Sequence, residues 1–313
     1  MGAFMGAFAN ALPGAIGQGL IWGIMAIGVY ITFRVLDFAD LTVDGTLATG
    51  GATLVMCMAG GMNVYLALFV AFLAGCAAGL VTGLLNTAFG IPPILAGILT
   101  QLALYSVNLR IMGKANQPIS PYNYKLAVSM ADIKMAIVVV AIFVVAIIAA
   151  LYWFFGTEMG HAIRATGSNM NMARANGINI SMSKIVALIL SNGLVALSGG
   201  LLAQYQGFAD INMGRGAIVI GLAAVIIGEV IGLALLGKHL NFWGKLTFVV
   251  LGGVVYYIVI SIVLWLKLDS NDLKLFTAVI VALFLAVPYL KGQKKSSFKL
   301  AKKRGEKLDA ENK

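Results

Sequence analysis

Apolar and polar residues along this chain fall into blocks, not into the short alternations of half-buried strands or surface helices. Apolar runs occupy 12–33, 46–60, 64–88, 94–112, 133–156, 184–207, 216–236, 246–266 and 275–290. A helix crosses a hydrocarbon core with about 20 such residues, so the pattern predicts an all-α polytopic membrane protein with about nine transmembrane segments. The second and last runs are short for a full crossing, which implies helices that are broken, tilted or shielded by neighbours. The second follows Asp37, Asp40 and Asp44 directly and is expected to contain a broken helix.

Gly75, Gly79 and Gly83 recur at helical spacing within one run, as do Gly19 with Gly23 and Gly228 with Gly232. Small residues four apart let a neighbouring backbone approach closely, so a tightly packed bundle is expected. Gly90-Ile91-Pro92-Pro93 predicts a tight loop, because proline cannot continue a helix and restricts the residue before it.

Composition agrees with the pattern. Hydrophobic residues make up 60% of the 313 and charged residues 11%, which leaves too little polar surface for a soluble domain. The formal charge of +10 is concentrated at the end of the chain. Residues 291–313 carry Lys291, Lys294, Lys295, Lys299, Lys302, Lys303, Arg304, Lys307 and Lys313 against Glu306, Asp309 and Glu311. By the positive-inside rule this is a cytoplasmic tail after a transmembrane domain spanning 1–290. Its expected partner is anionic membrane lipid, not nucleic acid. Counting spans backward puts 237–245, 157–183, 89–93 and 34–45 inside, with 267–274, 208–215, 113–132, 61–63 and the N-terminus outside. Lys114 and Lys125 fit that assignment poorly. Cys57 and Cys76 lack C-x-x-C spacing and read as packing residues, and His161 and His239 lie far apart, so no metal site is expected. The N-terminal run has no basic region before it, which argues against a cleavable signal peptide.

Two stretches echo each other: Phe38-Ala39-Asp40-Leu41-Thr42-Val43-Asp44-Gly45 and Phe208-Ala209-Asp210-Ile211-Asn212-Met213-Gly214-Arg215-Gly216. Each opens a new apolar run. Carboxylates beside a span are costly unless function or pairing retains them. Five runs separate the two motifs, so they enter the bilayer from opposite faces, as an inverted internal repeat requires. Asp40, Thr42, Asp44, Asp210, Asn212 and Arg215, with Glu229 further on, are therefore the candidate substrate-pathway residues. Arg215 and open helix N-termini would face a carboxylate, and Asp40, Asp44 or Asp210 an ammonium. The plainer alternatives are ion pairs, Asp210 with Arg215 and Arg34 with Asp37.

Loop 157–183 is the most polar stretch inside the apolar body. Ala162, Ile163 and Ala165, then Met170, Met172 and Ala173, interleave with polar residues closely enough for two short amphipathic helical turns. Ser168 or Asn169 would cap the second turn and Gly177 would end it in a left-handed conformation. A short, half-apolar helical element suits insertion into a groove on another protein.

Here the chain resembles a known family. Ala162-Ile163-Arg164-Ala165-Thr166-Gly167-Ser168-Asn169 is similar to the coupling stretch of permease subunits in bacterial ABC importers, from the branched-chain amino acid and ribose permease superfamily. Asp40 to Gly45, and Gly207 to Gly214 with Gly228-Glu229, resemble that superfamily's paired motifs, closest to the tryptophan/tyrosine-type group. The likeness runs from about residue 10 to 290. The chain departs from branched-chain permeases at Asp37-Phe38-Ala39-Asp40, where those carry Asn-Phe-Ala-His. The resemblance implies a homodimeric permease in the bacterial cytoplasmic (inner) membrane, importing a small polar solute, an amino acid (aromatic in the closest group), by alternating access. It implies a partner ABC ATPase that binds ATP and Mg, an extracellular solute-binding lipoprotein, and no enzyme activity or cofactor in this chain. It assigns His161, Arg164, Thr166, Gly167, Asn169 and Arg174 to coupling with the ATPase.

Two other readings stay open on the residues alone. Asp37, Asp40 and Asp44 have the carboxylate spacing of a Mg-diphosphate site in a membrane prenyltransferase, with Asp269 and Asp272 as the only second acidic pair. Asp44 and Glu229 would equally serve an ion-coupled secondary transporter. Gly232-Leu233-Ala234-Leu235-Leu236-Gly237-Lys238-His239 nearly matches a phosphate-binding loop, but it lacks the final Ser/Thr and ends an apolar run.

Overall fold

The computed structural model describes residues 2–120, 122, 124–237 and 241–265, with positions 275, 279 and 282 beyond them. The long helices are α1 (Gly2–Tyr30), α2 (Val43–Ala59), α3 (Val64–Thr87), α4 (Pro93–Met112), α5 (Ile133–Phe154), α8 (Ile180–Gln206), α9 (Ala217–Leu236) and α10 (Phe242–Trp265). Two short helices, α6 (Glu158–Ser168) and α7 (Met170–Ala175), occupy the polar loop before α8.

Seven helical segments are long and apolar enough to cross a membrane, and α2 is a shorter apolar helix. The expected count is nine; seven full-length candidates are found among the described residues. Eight of the nine expected runs correspond to helices, one of them short of a full span, and the ninth, 275–290, lies outside the described residues apart from the isolated positions 275, 279 and 282. The all-α expectation also needs amending. A small antiparallel ribbon pairs β1 (Asn116–Pro118) with β2 (Phe208–Asp210), in the register Asn116 with Asp210 and Pro118 with Phe208.

Helices α1 and α8 form the centre: 78% of each one's most apolar window is buried, against 28% for α4 and α5 at the periphery. The glycine stripe explains how α8 sits so deep. A Cβ on Gly75 or Gly79 would strike the main-chain oxygens of Asn192 and Leu188, and one on Gly83 would come within 3.2 Å of the Ile185 backbone. Only hydrogen at these positions permits that approach of α3 to α8. Gly19 and Gly23 do the same for α1 against Val254 and Val250 of α10.

The helical backbone is interrupted before α2, and α2 itself runs unbroken. The last turn of α1 widens into a π-helical turn over Ile31–Val35, where Leu36 N–H donates to Ile31 O and Phe38 N–H to Thr32 O. Asp37 then takes a left-handed backbone (φ 56°), unusual for a non-glycine residue. The chain runs non-helically to Thr42, packed against Gly97 of α4, where any side chain would meet Leu41 N. At one end of the bundle the segments expected outside meet each other in the ribbon. At the other, two of the four expected inside, 34–45 and 157–183, meet where a Cβ on Gly167 would strike Val35 O.

Candidate functional site

The two echoed motifs fold into the same local turn. In the first, Asp40 Oδ1 accepts from Thr42 N–H at 2.9 Å. In the second, Asp210 Oδ1 accepts from Asn212 N–H at 2.7 Å. Both are Asx turns, a local structure that competes with helix and favours the point where a helix has not yet begun.

Beyond the turn the two aspartates differ. Asp40 is 2% exposed and its Oδ2 accepts from Asn192 Nδ2 at 2.8 Å. Asn192 Oδ1 in turn accepts from Thr46. Thr42 Oγ1 lies 2.8 Å from Thr82 Oγ1, which reaches Thr100 at 2.9 Å. This buried polar network joins α2, α3, α4 and α8, and a fully satisfied network of this kind fixes one packing arrangement. Asp210 sits at the ribbon, where Asn116 Nδ2 also approaches it at 3.4 Å.

Asp44 brings the motifs together. Its Oδ2 accepts from Gly216 N–H and its Oδ1 from Ile218 N–H, each at 2.9 Å. The carboxylate of the first motif thus caps the N-terminus of the helix that the second motif opens. Two orphan amides are satisfied, and the negative charge meets the positive end of the α9 dipole. Gly214 makes room: a Cβ there would strike Asp44 O.

A cavity of about 290 Å³ opens beside this junction, lined by Asp44, Gly45, Gln101, Tyr105, Asn108 and Arg215 among others. Asn108 is 1% exposed. Its Nδ2 reaches Gly45 O at 3.4 Å, while its Oδ1 is buried with no partner among the described residues. A buried acceptor left unsatisfied costs about 1–3 kcal/mol, so its place on a cavity wall suits a ligand donor. Arg215 is exposed at the rim. Gln101, Tyr105 and Asn108 were not singled out in the sequence. Their spacing, i, i+4 and i+7 within an apolar run, puts three polar groups on one helix face and was the signal available.

Of the other candidates, Asn212 is exposed beside the ribbon, and Thr42 and Asp40 belong to the buried network and do not themselves line the cavity, although Thr42 O accepts from Gly45 N–H. Glu229 lies on α9 eleven residues beyond Ile218, about 16 Å along the helix, and forms an ion pair with Arg34. That is the one ion pair among the described residues, so neither plainer pairing, Asp210 with Arg215 or Arg34 with Asp37, is present among them.

The polar loop holds α6 and α7 as the sequence periodicity suggests. Thr157 caps α6 and Asn169 caps α7, its side chain accepting from Met172 N–H at 3.0 Å. Gly177 follows with φ 78°. Thr166 is buried and donates to Ala162 O. His161, Asn169 and Arg174 are exposed. Arg164 turns inward, its guanidinium carbon 4.4 Å from the Phe242 ring centre and 5.4 Å from that of Phe155.

A multi-pass helical protein with a mixed polar and apolar cavity at a helix junction and a capped amphipathic element at one end has the layout of a transport protein. The chain belongs to the family described as branched-chain amino acid transport system / permease component, which matches residues 12–288. It is 40% identical over 293 residues to a tyrosine transport system permease protein of Clostridioides difficile strain R20291, covering 93% of this chain and 96% of that one. It is 33% identical over 277 residues to an uncharacterised protein of Rickettsia prowazekii strain Madrid E, covering 88% and 97%. Among solved structures, PsaBC from Streptococcus pneumoniae in complex with Fab aligns with a TM-score of 0.44 at 15% identity, covering 82% of this chain and 95% of that one.

Proposed function

We propose that this chain is the membrane-spanning subunit of an ATP-driven ABC importer that carries an amino acid, with an aromatic side chain in the first rank of substrates, by alternating access. The reading rests on membership of a permease family together with 40% identity to a tyrosine permease. The single structural observation in its favour is the cavity at the Asp44–α9 junction. It offers a guanidinium at Arg215 for a carboxylate and an unused acceptor at Asn108 Oδ1 for an ammonium. Tyr105, 42% exposed, supplies an aromatic face. Asp44, its two oxygens held by α9 amides, positions the site; Asp40 and Thr42 lock the helices around it; Asp210 and Asn212 shape its outer rim.

Energy would come from a partner ATPase that holds ATP and Mg, and solute from an extracellular binding lipoprotein. A second copy of the chain would complete the pathway in a bacterial cytoplasmic membrane, with 157–183 and the tail 291–313 on the cytoplasmic side. The ATPase would engage His161, Asn169 and Arg174, with Met170 and Met172 exposed beside them. Thr166, Gly167 and Arg164 would fasten α6 to the permease body. From there Val35 and Arg34 lead to Glu229 and along α9 to Asp44, a continuous mechanical route from coupling element to cavity. The identical Asx turns and the meeting of the two motifs support an inverted repeat, with Leu36–Thr42 as its helix break and a ninth span completing the bundle.

The test is uptake into proteoliposomes carrying this chain, the ATPase and the binding protein encoded with it. Uptake of labelled tyrosine that requires ATP and the binding protein is the expected result. Uptake by the chain alone, driven by a proton or Na⁺ gradient, would replace this reading with that of a secondary transporter.

A further inference from the structure

A second cavity, of about 380 Å³, lies at the opposite end of the bundle from the ribbon, among Tyr30, Arg34, Arg164, Ser168, Phe242 and Lys245. Three cationic side chains line it, and the one carboxylate ion-paired to any of them among the described residues is Glu229, on Arg34. Arg164 and Lys245 therefore remain as uncompensated positive charge. Arg164 is also incompletely bonded: its Nε–H is buried with no partner among the described residues, while its plane is held over Phe242 and Phe155. An Arg fork locked by aromatic rings beside a free Lys and a serine hydroxyl is chemistry that recognises phosphate oxygens. The cavity adjoins a ring of interfacial aromatics. Tyr152 packs edge-on against Trp243 with ring centres 5.8 Å apart, and Tyr152, Trp153 and Trp243 are 54%, 73% and 42% exposed. Exposed Trp and Tyr mark the headgroup level of a membrane protein.

We infer that this cavity binds a phosphate group, supplied by the headgroup of an anionic phospholipid that enters beside Tyr152 and Trp243. The site does not depend on the solute carried or on the function proposed above. A headgroup held here would touch α1, α6 and α10 at once, so it would brace α6 against the bundle. Basic pockets between helices on the cytoplasmic side are a known physical basis for such lipid selection.

The full-length chain, purified in mild detergent and incubated with equal amounts of phosphatidylglycerol and phosphatidylcholine, is read by native mass spectrometry. The wild type should retain phosphatidylglycerol in preference. Lys245→Gln should weaken that retention about fivefold, the scale of one basic residue against anionic lipid, and Lys245→Arg should restore it. Arg164→Gln should weaken it further. The double variant Lys302→Gln/Lys303→Gln reduces only the tail's own attraction to anionic lipid, and should lower retention less than Lys245→Gln does. Elution profile and unfolding temperature of each variant confirm the fold. A parallel titration with inorganic phosphate separates the sources: binding of phosphate alone, sensitive to Lys245→Gln, would keep the phosphate site and overturn its lipid origin. Retention that ignores Lys245 and Arg164, or that disappears in the tail variant, would overturn the site. So would a Lys245→Gln chain that keeps its lipid and instead loses the co-purifying ATPase, since the pocket would then receive a protein carboxylate.

Discussion

Asp44→Asn separates a structural cap from a group that acts on solute. The wild-type carboxylate accepts from Gly216 and Ile218 N–H at 2.9 Å each. An amide has one acceptor oxygen, so one of those amides must face an NH₂ group instead. The loss is one charge-assisted hydrogen bond, about 1.5–3 kcal/mol, plus the interaction of a charge with the α9 dipole, about 0.3–1 kcal/mol. Together that is about 2–4 kcal/mol, or roughly a 30- to 1,000-fold change in the ratio of docked to undocked α9. The effect should be local, since α9 stays anchored further along, where a Cβ on Gly228 would strike Phe248 O of α10. Hydrogen exchange on the purified chain should show the amides of Gly216 and Ile218 exchanging at least tenfold faster, with α10 unchanged. Dye labelling of Cys57 and Cys76 during a thermal ramp should report a lower Tm. Asp44→Glu keeps the charge and should fall between the two. Wild-type exchange in Asp44→Asn would refute the cap. Wild-type exchange together with lost uptake would hand the carboxylate directly to the solute.

Four further expectations follow, three from the same geometry and the last from the charge pattern of the sequence. Asn108→Leu removes the unused acceptor at similar volume, so the complex should assemble normally while tyrosine uptake drops at least tenfold; unchanged uptake would remove Asn108 from the cavity's chemistry. Gly79→Ala drives a methyl into the Leu188 carbonyl, a backbone clash costing at least the ~1–3 kcal/mol of an overpacked core, and yield of folded protein should fall accordingly. The Arg34–Glu229 pair is 48% and 26% exposed, so breaking it should cost less than about 1 kcal/mol of stability, yet Glu229→Gln should lower the ATP coupling of transport, and the swap Arg34→Glu/Glu229→Arg should recover part of it. A cysteine at Asn212 should be labelled by an impermeant reagent from outside the cell and one at Ser296 only after permeabilisation; the reverse pattern would invert the topology.

The helices were legible because each long apolar block is a separate span, and the membrane leaves a block of that length no other structure with its backbone satisfied. The α3 stripe was legible for a related reason: three glycines at helical spacing have few uses besides close approach. What the sequence hid is contact between distant parts. Asp44 and Gly216 lie 172 residues apart, and the likeness of their motifs suggested symmetry without saying that one would cap the other. The alternative reading of an Arg34–Asp37 pair is not met, because Asp37 turns left-handed and Arg34 reaches α9 instead. No break is seen inside α2; the non-helical residues lie in the connection before it, where an Asx turn at Asp40 and the widened end of α1 both resist helix.

That displacement bears on mechanism. A break inside α2 would have left a flexible helix; a break before it leaves a rigid α2 whose first turn is fixed on three sides. Asp40 binds it to α8 through Asn192, Thr42 binds it to α3, and Asp44 binds it to α9. The first two contacts are fully buried, between side chains. The third runs from a half-buried carboxylate to backbone amides beside a cavity. If the bundle has two states, the α2–α9 contact is the one that water or solute can reach and replace, whereas opening the α2–α8 or α2–α3 contacts would strand polar groups in a dry interior at about 1–3 kcal/mol each. Motion between states is therefore expected at the α9 N-terminus, with α2, α3 and α8 moving as one body. Hydrogen exchange on the purified chain, with and without solute, should change at the amides of Gly216 and Ile218 and stay constant along α2, α3 and α8. Equal changes in both places would show that the hinge lies elsewhere.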